Sequence, residues 1–508
     1  MKIKISLLTS VLLGGVLTFS ACSFSTGGQG DLDSKLSNLY NIQANKDSVC
    51  KYNEVTKDPI YNGSAEGIKL LYCGDYTNSY TSFNAAVNGF NDSGILDYKG
   101  LFYELPILRT YQGIDQLLST SVLFDKEAVE GSNNSIFESA NRLFRLAGDE
   151  QEKIEEKYKK EIVKAAKDMG GEDGFLFKII QNLANSAIKD NTSELMGMNC
   201  KNDKKSEDIF IDDDCKILQA EQGFINTYVE FMEFVGGILE GGEEVDEVRN
   251  KLLKIKEKNV DNKVLASVFD KIYGDNKSDT NNVFVVYENG ESKGLEDYEI
   301  SFPIPADLNH LKDNAVKLAV TYAALNINTK LDDDIIKAIG GLTDARGVFP
   351  KLTDSKSSYE YLEVSNNKNK ENTKQLADMD KIITKDYNSN LTVTMIKAIF
   401  DAAVKTSLNA SAANKSPLLG FAANKATEAV NHSDLRRVVG LPKDYQLTIL
   451  DNTGDIKITD NKGNEIFSKS NLDKDKNYLI YVKSPKIGTN YIKVIEGKKV
   501  TQVNVGEN

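Results

Sequence analysis

Histidine, serine and aspartate stand side by side at His432-Ser433-Asp434, and these are the residue types of a nucleophilic triad. Three adjacent residues cannot bring their side chains into a hydrogen-bonded relay, and the chain has no Gly-x-Ser-x-Gly elbow to hold a nucleophile. His310 is the only other histidine, which removes most histidine-based metal sites and histidine-driven reactions. We expect a loop or helix-capping role for this tripeptide.

Acidic and glycine-containing stretches also carry residue types that could do chemistry. The aspartates of Asp212–Asp214, Asp332–Asp334 and Asp378–Asp380 supply hard oxygen ligands, but none has the twelve-residue calcium loop with its glycine and terminal glutamate. No Lys-Ser or Lys-Thr follows Gly340-Gly341 or Asp344–Gly347 as a phosphate-binding loop requires. The sequence predicts no metal, no nucleotide and no cofactor.

A compact cluster of mixed charge lies at Asp434, Arg436 and Arg437. Arginine forms bidentate pairs with carboxylates, and a buried pair of this kind fixes local geometry and does not carry out a reaction. We expect a structural charge cluster and no catalytic residues.

The first 21 residues have the features of an export signal. Lys2 and Lys4 supply positive charge, Leu7–Phe19 is apolar, and the small pair Ser20-Ala21 precedes Cys22. The apolar stretch is too short to span a bilayer about 30 Å thick. We therefore expect residues 1–21 to be a signal peptide.

Four further cysteines, Cys50, Cys73, Cys200 and Cys215, follow in a chain expected to be exported. An even number suggests disulfides, and nearest-neighbour pairing would join the first two and the last two. Three connectivities are open. A Cys₄ zinc site is disfavoured, because neither spacing fits the close cysteine pairs of a zinc ribbon.

The composition is that of a folded protein of about three packing units. The chain has 508 residues, of which 40% are hydrophobic and 27% charged. Its net charge of -13 repels phosphates, so nucleic acid is not an expected partner.

The hydrophobic periodicity of the chain predicts an α+β protein with several domains. Residues 36–278 have helical spacing, 279–440 form a mixed α/β unit that includes a buried strand at Val283–Tyr287, and 441–508 are short strands of a small antiparallel β-sandwich. Ser64–Asn91 has a turn at Gly74 and the spacing of a helix pair in a tetratricopeptide repeat, with further pairs over 101–156 and 222–259. An irregular helical bundle is the alternative for this half.

Two resemblances to known families follow from these residues. Leu17–Cys22 resembles the lipobox of bacterial lipoproteins, which implies acylation at Cys22, a lipidated tether over 22–35 and, from Ser23, the outer membrane. The chain also resembles uncharacterised bacterial lipoproteins with tetratricopeptide-like repeats; the matching stretches are Tyr72–Tyr76 through Phe83, Phe224–Val229, Val286–Gly290, Glu299–Pro303, Asp378–Asp380 and Asp434–Pro442. This second resemblance implies no particular reaction.

The leading hypothesis is a lipid-anchored envelope lipoprotein that acts as a non-catalytic scaffold. Its helical repeats would bind envelope proteins, with cell-wall or outer-membrane assembly machinery as a candidate partner class, and it would contact the membrane through its lipid only. The expected location is the periplasmic face of the outer membrane. One alternative is a hydrolase of envelope glycans that uses two carboxylates, since such chemistry needs no histidine. The other is a surface-exposed, ligand-binding lipoprotein.

Overall fold

The structure is a computed structural model that describes residues 50–92, 98, 100–123, 136–153, 226–241, 245–274, 281–303, 344–387 and 435–499. The predicted signal peptide and tether, with Cys22, lie outside these residues. So do Cys200, Cys215, Asp434 and both histidines. Within the described residues, no helix is long and apolar enough to cross a membrane.

The described residues form an α+β fold with eight helices. The helices are α1 (Pro59–Cys73), α2 (Tyr76–Asp92), α3 (Glu104–Leu123), α4 (136–153), α5 (Thr227–Glu240), α6 (Val245–Lys258), α7 (Lys263–Tyr273) and α8 (379–387). Pro59 opens α1, where its missing N–H is not needed. The Asn226 and Asn262 side chains accept backbone N–H bonds at the starts of α5 and α7.

Helices α1 and α2 form a tight hairpin. Gly74 ends α1 with a φ of 79°, a left-handed conformation that glycine adopts without strain, and its N–H bonds back to the last turn. One face of α1 carries Gly67, and a Cβ there would come within 2.6 Å of the Phe83 ring of α2. The glycine therefore lets the aromatic ring pack directly on the helix backbone. Cys50 and Cys73 are joined by a disulfide, with 5.6 Å between their Cα atoms.

Eleven described strands form three sheets. The strands are β1 (Asn282–Asn289), β2 (Leu295–Pro303), β3 (Asp344–Leu352), β4 (Leu362–Ser365), β5 (Lys370–Asn372), β6 (Lys374–Asp378), β7 (Asp444–Asp451), β8 (Ile456–Asp460), β9 (Glu465–Lys469), β10 (Lys476–Lys486) and β11 (Thr489–Lys499). A five-stranded sheet has the order β11-β10-β1-β7-β6, a four-stranded sheet has the order β5-β4-β8-β9, and β2 pairs with β3.

The five-stranded sheet is the middle of three layers. One face packs against the helices, through residues such as Phe284, Val286 and Leu447. The other face packs against the four-stranded sheet, through residues such as Val285 and Ile480. Helix α5 is buried along nearly its whole length in the helical layer.

The strand pairing joins segments that the sequence prediction had placed in separate domains. Strand β1, from the predicted 279–440 unit, lies between β7 and β10 of the predicted 441–508 module. The pairing of β1 with β10 is parallel, so the sheet is mixed and not purely antiparallel. Both edges of β1 need hydrogen-bond partners because its residues are almost all buried. Strands from the end of the chain supply them.

Candidate functional site

The chemically richest site lies between the helices and the five-stranded sheet. Glu288 of β1 and Lys483 of β10 are register partners on adjacent parallel strands. Nζ of Lys483 donates to Oε2 of Glu288 at 2.5 Å, and the two side chains are 2% and 0% exposed. A lysine and a glutamate are rarely this deeply buried unless they are paired.

Three tyrosine hydroxyls complete the coordination of the Glu288 carboxylate. Tyr228 and Tyr481 donate to Oε1 at 3.2 Å and 2.8 Å, and Tyr111 donates to Oε2 at 3.0 Å. Lys483 also contacts the Tyr111 hydroxyl at 3.1 Å and donates to the Gly440 carbonyl at 3.0 Å. Each charged atom of the pair therefore has hydrogen-bond partners that replace water.

Burial shifts the pKa values of the three tyrosines and of Lys483. Removal from water raises the pKa of each of Tyr111, Tyr228 and Tyr481 well above its ordinary value, and the nearby Glu288 carboxylate adds to that effect. The phenols therefore remain protonated donors. Burial lowers the pKa of Lys483, while Glu288 acts in the opposite direction.

Aromatic rings enclose the cluster. The Tyr228 ring stacks on Tyr445 with 3.9 Å between centroids, and the Tyr111 ring stacks on Phe83 at 5.5 Å. The cluster thus ties α2, α3 and α5 to the sheet. Each polar group of the cluster contacts another protein group, which fixes the positions of these elements.

A second buried carboxyl, Glu104, lies at the first residue of α3. It accepts N–H bonds from Val438 at 2.7 Å and Leu101 at 2.8 Å, and the Tyr98 hydroxyl donates to it at 2.9 Å. Burial raises the pKa of Glu104 to about 7, although all three hydrogen bonds oppose the shift. This carboxyl fastens the segment before β7 to the helical layer.

The predicted charge cluster is divided between two environments. Arg436 pairs with Asp58, next to the start of α1, at 2.7 Å. Arg437 is buried, and its guanidinium contacts the Val438 carbonyl at 3.4 Å. Asp434 lies outside the described residues. Arg436 contacts the residue before α1, and Arg437 contacts the neighbouring backbone. Both contacts hold this segment in place.

An open cleft of about 370 Å³ lies at one end of the two larger sheets. Its lining residues come from the segment before β4, the turn between β8 and β9, and the tip of the β10–β11 hairpin; they are Ser357, Ser358, Tyr359, Glu360, Asp460, Asn461, Lys462, Asn464 and Ile487. At the hairpin tip Gly488 has a φ of 82°, and its N–H donates to the Tyr359 hydroxyl at 3.0 Å. Ile487 beside it is 66% exposed.

Two carboxylates line this cleft, and one of them, Asp460, accepts hydrogen bonds from its own turn. Asp460 accepts bonds from the backbone N–H groups of Lys462 and Asn464 and from the Asn464 side chain, each at 2.9 Å. Burial acts to raise the pKa of Asp460, but these hydrogen bonds hold it below its usual value. It therefore remains ionised and structural. The second carboxylate is Glu360.

Comparisons with known proteins add no relative. No family model, curated protein or solved structure matches the chain. Across the ranges that the structure describes, no group of three or more histidine, cysteine or acidic side chains is arranged to hold a metal ion.

Local sequence patterns do not predict the Glu288–Lys483 pair, and the predicted strand Val283–Tyr287 ends one residue before Glu288. A signal was nevertheless present: with a period of two, Lys483 falls on the same strand face as Leu479 and Tyr481. A lysine on an inward face predicts a buried acidic partner.

Proposed function

We propose that the protein is a lipid-anchored envelope lipoprotein that binds another protein and performs no catalysis. The acyl group at Cys22 would hold the folded body at the periplasmic face of the outer membrane. The open cleft beside Ile487 carries this proposal, because it combines an exposed apolar side chain with a polar surround. Protein interfaces combine an apolar centre with a polar rim, and Ile487 with this polar lining has that arrangement on a small scale.

The helix pairs support the tetratricopeptide-like part of the proposal. The α1–α2 hairpin overlaps the first of the three segments expected to form repeats, and the helices α3 to α6 lie within the other two. Since α5 is enclosed in the core, the inner side of these helices is largely occupied by the sheet. We therefore assign partner binding to the cleft and not to a concave helical face.

The alternative of a glycan hydrolase has one observation in its favour, the presence of Glu360 and Asp460 in one cleft. A general acid of this kind needs a carboxyl with a raised pKa. The Asp460 carboxylate already accepts three hydrogen bonds from its own turn, which favours binding over hydrolysis. Turnover of peptidoglycan by the purified protein, abolished in Glu360→Gln, would contradict the proposal.

In-cell crosslinking and capture of the lipidated protein tests partner binding. Ile487→Asp places a charge on the rim of the cleft and should reduce the recovered partner at least about tenfold, as loss of an interface hot spot does. Val260→Asp is the matched control, because Val260 is also an exposed apolar residue, at 79%, and lies in the α6–α7 turn. Equal recovery with both variants would contradict a role for the cleft.

Anchoring is tested separately with Cys22→Ser. We expect the unaltered protein to incorporate labelled palmitate and to fractionate with the membrane. The variant should lose the label and leave the membrane fraction, because the acyl chains supply the membrane affinity in this proposal. Unchanged fractionation of the variant would contradict the lipid anchor.

A further inference from the structure

The cluster around Glu288 and Lys483 holds the two reactants of an amide bond. Nζ of Lys483 lies 2.5 Å from Oε2 of Glu288. A carboxyl C–O bond is about 1.2 Å long, so the carboxyl carbon lies no more than about 3.7 Å from the amine nitrogen. In near-attack conformers the reacting atoms are about 3–3.5 Å apart. The packing therefore holds the amine close to the geometry of attack.

We propose that Lys483 and Glu288 become joined by an intramolecular isopeptide bond in the folded protein. The amine nitrogen attacks the carboxyl carbon, a C–N bond forms, and one C–O bond of the carboxyl breaks. An ammonium and a carboxylate together lose two protons and one oxygen as a single water molecule, and the product is a neutral amide. The step needs no oxidant, reductant or further reactant.

Tyr111 is placed to move the proton. Its hydroxyl lies 3.1 Å from Nζ of Lys483 and 3.0 Å from Oε2 of Glu288, so it bridges the amine and the oxygen that leaves. General acid–base groups must lie within hydrogen-bond reach of the atoms they protonate. Tyr111 meets this requirement for both atoms.

Tyr228 and Tyr481 are placed to stabilise the other carboxyl oxygen. Both hydroxyls donate to Oε1 of Glu288, which gains negative charge when the carbon becomes tetrahedral. Fixed donors in a site without water stabilise such an oxyanion strongly. The Gly440 carbonyl accepts an N–H of Lys483 and keeps the amine oriented toward the carboxyl.

The buried setting favours the product. Fixed reactants react with effective concentrations of about 10⁵–10⁸ M, which offsets the unfavourable condensation of an amine and an acid in water. Desolvation lowers the pKa of Lys483 and so increases the fraction of the nucleophilic neutral amine. Amide formation also removes two buried charges, each of which is costly to keep out of water.

Peptide mass spectrometry of the full-length protein, digested with trypsin after denaturation, tests this bond. An isopeptide would join residues 278–293 to residues 477–486 and would block cleavage after Lys483. We expect this branched peptide, lighter by one water than its two parts combined, to account for most of the protein. Recovery of the two segments as linear peptides, with cleavage after Lys483, would overturn the proposal.

The same digest contains a matched control. Lys258 and Glu230 form a pair at 3.0 Å, but Lys258 is 39% exposed, so water and screening oppose condensation there and we expect linear peptides. A branch at Lys258 as abundant as the branch at Lys483 would identify a preparation artefact and overturn the proposal.

Two variants sharpen the result. Lys483→Arg should abolish the branched peptide, and Tyr111→Phe should form it at least about 100-fold more slowly after refolding, as removal of a proton-transfer group does. A normal rate in Tyr111→Phe would overturn the role given to this hydroxyl. If either variant fails to fold, the digest of the unaltered protein still decides whether the bond exists.

Discussion

The two faces of the five-stranded sheet are built from the same strands but bury different chemistry. Toward the four-stranded sheet, the middle parts of β1 and β10 present apolar and tyrosine side chains, among them Val283, Val285 and Ile480. Toward the helices, the alternation along the same strands brings Glu288 and Lys483 into the core. The helical face accepts charge because α3 and α5 bring tyrosine hydroxyls to it.

This contrast predicts different causes of stability on the two faces. On the apolar face, stability should follow the volume of the side chain, since each buried methylene contributes about 0.8 kcal/mol. On the helical face, it should follow the balance of charge, because an unpaired ion in the core is far more costly than a cavity. Four substitution experiments test that distinction.

The largest effect is expected for Lys483→Met. This change leaves Glu288 as a buried carboxylate with no partner amine and also removes the proposed isopeptide, so it should lower the free energy of unfolding by at least about 4 kcal/mol, measured by urea denaturation. The control is Lys476→Met on the same strand, where the pair with Glu496 is partly exposed and should contribute less than about 1 kcal/mol. Similar losses in the two variants would show that burial of the pair has no special role.

Truncation on the opposite face comes next. Ile480→Ala should cost about 3 kcal/mol, because Ile480 is completely buried and the smaller side chain leaves a cavity between the two sheets. Ile487→Ala, at the exposed hairpin tip, should change stability by less than about 0.5 kcal/mol. A loss below about 1 kcal/mol for Ile480→Ala would mean that the apolar face is loosely packed.

Much of this fold could be predicted from local patterns. The strand at Val283–Tyr287 lies within β1, and the turn expected at Gly74 separates α1 from α2. Helical spacing from Gln375 to Asn409 predicts a helix there, but residues 374–378 form β6, because the edge of the sheet beside β7 gives their backbone hydrogen-bond partners. The helix begins only at residue 379.

The site was harder to predict because its members are far apart in the sequence. Glu288 and Lys483 are separated by 195 residues, and Tyr111 lies 177 residues before Glu288. No spacing rule connects residues across such distances. Parallel pairing between β1 and β10 creates the contact, and that pairing depends on the whole sheet. The inward position of Lys483 was the one local signal available.

The pH dependence of stability tests the second buried carboxyl, also on the helical side. The pKa of Glu104 is raised from 4.5 to about 7, so the folded state binds more protons than the unfolded state between these values. Stability should therefore be highest below about pH 4.5 for this group and should fall, by no more than about 3 kcal/mol, as pH rises through about 7.

Glu104→Gln isolates this contribution, because other buried carboxyls such as Asp444 titrate in both proteins. Urea denaturation between pH 5 and 8 should show a decline in the unaltered protein that is reduced in the variant. Parallel pH profiles for the two proteins would contradict the raised pKa.

The smallest effect separates a hydroxyl that serves the charged pair from one that does not. Tyr228→Phe removes a hydrogen-bond donor to Oε1 of Glu288 and should cost about 2 kcal/mol, as loss of a partner for a buried acceptor does. Tyr103→Phe is the matched control: Tyr103 is also buried, and its hydroxyl has no hydrogen-bond partner among the described residues. That change should be neutral or slightly stabilising, since it removes an unsatisfied polar atom from the core. If both variants lose the same stability, ring packing and not donation to Glu288 holds the helices on this face of the sheet.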